Sequence, residues 1–221
     1  MTHHSSSLAS VSALLRRYPA LAGLAGELER AFVLLRDCLA GGHKIFVCGN
    51  GGSAADAEHI VGELMKSFAF HRPIPAEHRA QLLAADPGAE QLAAALEVGL
   101  PAISLVSATG LLTAYANDRD YAYAFAQQVY GLGRPGDVLI AISTSGSSAS
   151  VLNACRAARL RDLGVLGLTG ETGGALPALC DVVLRAPASQ THLIQELHLP
   201  MYHWLCLALE AHFFSANGAR Y

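Results

Sequence analysis

Lys44-Ile45-Phe46-Val47-Cys48-Gly49-Asn50-Gly51-Gly52-Ser53 is a short apolar run that breaks into glycines and then opens a new segment. An unbroken apolar run of this length is the signature of a strand buried on both faces, as in a parallel sheet. The residues after it, Ala54 to about Phe68, predict a helix. The pattern returns at Asp137-Val138-Leu139-Ile140-Ala141-Ile142, followed by Ser143-Thr144-Ser145-Gly146-Ser147-Ser148 and a helix through Leu160. Three more runs read as strands: Ala102-Ile103-Ser104-Leu105-Val106, Val165-Leu166-Gly167-Leu168-Thr169 and Asp181-Val182-Val183-Leu184-Arg185. A last helix occupies roughly 191–214. Strands alternating with helices imply right-handed crossovers and an α/β fold, a three-layer αβα sandwich around a five-stranded parallel sheet.

Upstream, residues 8–40 place Leu14, Leu15, Leu21, Leu24, Leu28, Phe32, Leu35 and Leu39 at helical spacing. The pattern is interrupted near Pro19 and stopped by Gly41-Gly42. The expected organisation is a disordered leader over 1–7, an N-terminal helical extension over 8–40, and one α/β domain over 41–221. The chain has 221 residues, 52% hydrophobic and only 15% charged, which excludes a disordered protein. A net charge of −3 gives no footprint for a nucleic-acid partner. Five scattered cysteines (Cys38, Cys48, Cys155, Cys180, Cys206) form no CxxC pair, so they read as buried reduced thiols of a cytoplasmic protein. No basic-then-apolar signal opens the chain. The most apolar stretches are broken by Pro101 and Gly110, or carry Glu210 and His212, so no membrane span is expected.

Both strand–loop–helix units carry chemistry. Glycines at 49, 51 and 52 let a ligand approach the backbone, and Ser53 opens a helix. The second loop offers the hydroxyls of Ser143, Thr144, Ser145 and Ser148 around Gly146. Loops at the carboxyl ends of parallel strands are where such sheets bind ligands. Free amides, hydroxyls and the positive end of a helix dipole together suit a phosphate monoester. Neither loop contains the lysine of a nucleoside-triphosphate loop, and Gly49-Asn50-Gly51-Gly52 does not fit GxGxxG. One such loop alone could be a simple helix cap; two in equivalent positions favour phosphate.

His59 and Glu63 are four residues apart and share a helix face, about 6 Å apart along the axis. Such a pair can chelate a borderline metal, place a base beside a substrate, or make an ordinary surface contact. Glu58 points elsewhere, toward solvent. The last helix carries His192, Gln195, Glu196, His198, His203, Glu210 and His212 among apolar neighbours. Gln195 and His203 lie about 12 Å apart along a straight helix, too far for easy shared coordination. Pro200 between them should bend it, and Gln195 could stand at the helix entrance. His198 and His212 read as structural or interfacial.

Taken in order, Cys48-Gly49-Asn50-Gly51-Gly52-Ser53, His59…Glu63, Ala116-Asn117-Asp118, Gly136-Asp137-Val138-Leu139, Ile142-Ser143-Thr144-Ser145-Gly146, Leu168-Thr169-Gly170…Gly173-Gly174 and Ile194-Gln195-Glu196…His203 resemble the phosphoheptose isomerases of the sugar-isomerase (SIS) fold. The resemblance runs from about Gly41 to Phe214. It implies an aldose–ketose isomerase that converts sedoheptulose 7-phosphate to D-glycero-D-manno-heptose 7-phosphate through an enediol. It further implies substrate binding by Asn50, Gly51, Gly52, Ser53, Asn117, Asp118, Ser143, Thr144, Ser145, Ser148 and Gln195. It implies one Zn²⁺ or other divalent metal per site, on His59, Glu63, Gln195 and His203. Glu63 and His203 correspond to the acid/base pair, in a cytoplasmic homotetramer with sites between subunits. Assembly from two chains would relieve the distance between Gln195 and His203.

Two features depart from the family pattern. An insertion over 74–99 reads as one or two short Ala/Leu/Glu helices that cover the site, alter the accepted sugar or extend an interface. The family's basic residue one turn beyond the catalytic Glu is replaced by Ser67, beside Lys66. The rival reading is a non-catalytic SIS protein of the replication-initiator-associating kind, which looks degraded at the metal positions that are intact here. Isomerisation of another ketose phosphate is a third reading. A phosphosugar-sensing regulator is disfavoured because no DNA-binding element flanks the domain.

Overall fold

The computed structural model describes residues 10–215; the expected leader over 1–7 lies outside them. The chain enters through helix α1 (Val11–Arg17), a 3₁₀ turn (Pro19–Leu24) and α2 (Ala25–Ala40), with Pro19 at the junction. Strand β1 (Ile45–Cys48) leads to α3 (Gly52–Met65). Two helices fill the insertion, α4 (Ala76–Ala85) and α5 (Glu90–Ala95). Then follow β2 (Ala102–Ser104), α6 (Thr109–Asp118) and α7 (Ala124–Leu132). Strand β3 (Val138–Ile142), α8 (Ala149–Leu160), β4 (Gly164–Thr169) and β5 (Val182–Arg185) come next, and α9 (Thr191–Phe214) ends the described chain.

All five strands are parallel, in the order β2-β1-β3-β4-β5. The chain steps outward from β1 to β2, then crosses back to β3 on the other side. A topological switch point therefore falls between β1 and β3, where the chemistry-bearing loops leave the sheet. Successive side chains of a strand point to opposite faces, and this divides the core. Ile45, Val47, Val138, Ile140, Ile142, Leu166 and Leu184 join Leu28, Leu35, Ile60, Leu64, Met201 and Leu205 on the α2–α3–α9 side. Phe46, Cys48, Leu139, Ala141 and Val165 join Phe125, Val129, Val151 and Cys155 on the α7–α8 side. The three layers follow from that alternation. Four of the cysteines are buried, Cys180 is partly so, and all are free.

Asp137 fastens the amino ends of β1 and β3, opposite the loops. Its carboxylate accepts from Lys44 N at 3.0 Å, Lys44 Nζ at 2.6 Å and Arg134 N at 2.8 Å. Its side chain is 2% exposed. Asp137→Ala leaves those donors unanswered, so stability falls by about 2–3 kcal/mol. Turnover per folded molecule is unchanged, because Asp137 lies at the far end of the strands. Urea unfolding with a parallel activity assay checks both halves.

Candidate active site

The loops after β1 and β3 meet around a cavity of about 260 Å³ lined by Asn50, Gly51, Gly52, Ser53, Ile142, Ser143, Thr144, Ser145, Ser148, Thr191 and Gln195. Nine of the expected substrate residues thus come together. No described lining residue is cationic. Favourable charge for an anion comes instead from the amino ends of α3 and α8, whose first amides have no partner within their helices. Asn50 ties the loops: its Nδ2 donates to Ser148 Oγ at 2.8 Å and Ser150 Oγ at 2.9 Å. Its Oδ1 accepts from the Tyr121 hydroxyl at 2.7 Å.

Two glycines are dictated by geometry. A Cβ on Gly52 would collide with the Gln195 amide. Gly146 has φ +63°, and a Cβ there would strike the Gly173 carbonyl. Gln195 therefore reaches the first loop only because position 52 has no side chain.

The expected Asn117–Asp118 contact stands apart. These residues end α6, are exposed, and bond to each other, Asn117 Nδ2 donating to Asp118 Oδ1 at 2.9 Å. Neither lines the cavity; Tyr121, three residues on, makes the connection instead.

The second cluster lies farther along α3 and α9. His59 Nε2 is 3.3 Å from Glu63 Oε1 and 3.4 Å from His203 Nε2. The Glu63 side chain is 13% exposed, and its Oε2 accepts from Lys66 Nζ at 2.8 Å. The His203 ring stands against Phe68 and Tyr202. Burial pulls the His203 pKa below its ordinary value, His59 pulls the same way, and Glu63 opposes them. Behind His59, the Tyr202 hydroxyl lies 3.0 Å from His59 Nδ1 and 3.2 Å from Asp56 Oδ1. Burial raises the Asp56 pKa, tempered by the Tyr202 bond and His59. Burial, then Asp56, push the Tyr202 phenol well above its usual range.

Gln195 does not join this cluster. It sits in the second turn of α9, not at its entrance, two turns from His203, and α9 is a continuous helix through Pro200. Among the described residues no group of three or more His, Cys, Asp or Glu side chains stands ready as a metal cage. The donor chemistry nevertheless suits a borderline cation. Ligands at 2.0–2.1 Å around tetrahedral Zn²⁺ lie about 3.3–3.4 Å from one another, and the His59–Glu63 and His59–His203 separations match two such edges.

The C-terminal end of α3 is held by a buried ion pair that the sequence does not announce. Arg72 and Glu210 have fully buried side chains 2.7 Å apart. Arg72 also donates to the carbonyls of Leu64, at 2.7 Å, and Glu63, at 3.3 Å. Glu210 accepts from the amides of Phe68 and Ala69 at 2.7 and 2.6 Å. The insertion is anchored beside it. Ser67 donates from its amide and hydroxyl to Glu97, at 2.8 and 2.5 Å, holding that carboxyl below the usual range. Pro73 bridges to Glu97.

His198 is structural, as expected: fully buried, with Nε2–H donating to the Thr169 carbonyl at 3.2 Å. Burial pulls its pKa down from 6.5 to about 4. The folded state thus resists a proton that the unfolded chain accepts. The stability this neutral ring permits is complete above pH 6.5 and is lost as pH falls toward 4. Urea midpoints measured across that window should fall, and fall less steeply in His198→Gln.

A parallel α/β sheet with a glycine- and hydroxyl-lined cavity at its switch point and a His–Glu–His cluster beside it is the arrangement expected of a sugar-isomerase enzyme. The SIS domain pattern matches residues 8–82 and 79–170. The phosphoheptose isomerase of Shewanella denitrificans is 38% identical over 196 residues, 87% of each chain. That of a Bradyrhizobium species is 41% identical over 207 residues, 94% of this chain and 92% of the relative. The solved phosphoheptose isomerase of Neisseria gonorrhoeae superposes with a TM-score of 0.71 at 35% identity, covering 90% of this chain and 94% of the other. That of Francisella tularensis gives 0.72 at 30%, covering 90% and 92%. The chain belongs to the phosphoheptose isomerase family of SIS-domain proteins.

Proposed function

We propose that this enzyme interconverts sedoheptulose 7-phosphate and D-glycero-D-manno-heptose 7-phosphate. The observation that carries the reading is the pairing of two sites along one helix pair. The anion cavity lies at the amino ends of α3 and α9 and the His59–Glu63–His203 cluster about two turns farther along. An open-chain sugar phosphate laid along this seam puts its phosphate at Ser143, Thr144, Ser145 and Ser148 and its carbonyl end at the cluster. Asn50, Gly51, Gly52, Ser53 and Gln195 hold the intervening atoms, whereas Asn117 and Asp118 end α6 outside the cavity.

Glu63 takes the proton from the carbon beside the carbonyl and returns it to the neighbouring carbon, while His203 moves protons on the oxygens. His59, Glu63 and His203 would hold a divalent cation, Zn²⁺ by donor type, which when bound would supply positive charge to stabilise negative charge developing on the substrate oxygens. Gln195 completes that set if sites form between subunits of a tetramer. Reduced, buried thiols suit a cytoplasmic setting. Among the described residues no helix is long and apolar enough to cross a membrane.

The test is a substrate series: sedoheptulose 7-phosphate, its five- and six-carbon ketose phosphate counterparts, and unphosphorylated sedoheptulose. The highest kcat/KM belongs to the seven-carbon phosphate, and removing the phosphate abolishes saturation. Preference for a shorter chain contradicts the substrate assignment.

A further inference from the structure

We propose that Asp56 and Tyr202 are positioning residues that hold His59 in the tautomer protonated on Nδ1, so that Nε2 presents a bare lone pair beside Glu63 and His203. The Tyr202 hydroxyl has one proton and two neighbours, Asp56 Oδ1 at 3.2 Å and His59 Nδ1 at 3.0 Å. A carboxylate only accepts, so the proton goes to Asp56. The phenol oxygen then accepts from His59 Nδ1–H. A neutral imidazole protonated there has no hydrogen on Nε2.

Two further observations support this. Tyr202 is 2% exposed, and Asp56 Oδ2 is buried with no hydrogen-bond partner among the described residues. A half-satisfied buried carboxylate is costly and calls for an explanation; orienting Tyr202 provides one. The bare Nε2 then faces Glu63 Oε1 at 3.3 Å, two acceptors with no proton between them. Acceptors meet in this way when a cation is bound between them. His–metal sites commonly hand the remote ring N–H to an oxygen acceptor, and losing it costs 10–100-fold in metal affinity. Tyr202 would be that acceptor, with Asp56 behind it.

The proposal rests on the reading of His59 as a ligand, but the tautomer is measured without turnover. Chelator-treated, full-length protein labelled with ¹⁵N-histidine is examined at pH 8 by long-range ¹H–¹⁵N NMR, with His59→Gln assigning the ring. Nδ1 of His59 should be protonated and Nε2 bare; Tyr202→Phe, which removes only the hydroxyl, should give a mixture of tautomers. Co²⁺ titration should show affinity 10–100-fold weaker in Tyr202→Phe. A protonated Nε2 in the parent protein overturns the proposal, even if Tyr202→Phe fails to fold. An unchanged tautomer in a folded Tyr202→Phe overturns it too. If the parent protein binds no Co²⁺, the metal reading fails, while the tautomer result stands or falls by itself.

Discussion

Glu63→Gln lowers kcat by about 10²–10⁴-fold, the usual contribution of a positioned general base. The amide has nearly the shape of the carboxylate but cannot take a proton from carbon. Glu63 is only 13% exposed, and its Oε1 stands 3.3 Å from His59 Nε2. The cavity proposed for the phosphate is built from other residues, so binding of inorganic phosphate should be preserved. The ion pair between Glu63 and Lys66 disappears in the variant, but Lys66 is exposed, and such surface pairs contribute about 0–1 kcal/mol. Single-turnover and steady-state kinetics beside phosphate titration separate these effects. Near-normal turnover in a folded variant that binds phosphate removes Glu63 as the base.

The largest stability effect belongs to Glu210→Ala. The variant leaves Arg72 fully buried without its counter-charge, a situation that costs about 3–5 kcal/mol. Typical domains have only about 5–15 kcal/mol in all, so much of the chain's margin disappears. The amides of Phe68 and Ala69 lose their acceptor at the same time, and the segment after α3 loosens. Replacing both partners by apolar residues, Arg72→Met with Glu210→Leu, should recover much of the loss, because no charge is then stranded. Urea unfolding of both variants decides it. A change below about 1 kcal/mol in Glu210→Ala contradicts the role given to this pair.

What could be read in advance divides along the range of the interactions. The strands were legible because burial on both faces leaves an unbroken apolar run, as at Ile45–Cys48 and Val138–Ile142. The two loops were legible because glycines and hydroxyls follow those runs directly, and strand adjacency then brings the loops together. Periodicity exposed His59 and Glu63, which share one helix face. The same rule reaches Asp56, three residues before His59, but not Tyr202, which arrives from α9 across 146 residues of sequence. Arg72 and Glu210 were hidden for that reason: they are 138 residues apart, and no local pattern links them. Gln195 illustrates the opposite limit. Spacing along α9 separated it from His203, and only the absent side chain at Gly52 reveals that it turns to the loop after β1.

The proposed reaction moves a proton between adjacent carbons of a sugar phosphate. The most direct measurement incubates the parent protein with sedoheptulose 7-phosphate in deuterated water and follows C1, C2 and the product by NMR. The aldose should appear with deuterium at the carbon that receives the proton, and both signals should be lost in Glu63→Gln. Binding of the ketose phosphate without product or exchange would contradict it and leave a non-catalytic phosphosugar-binding protein.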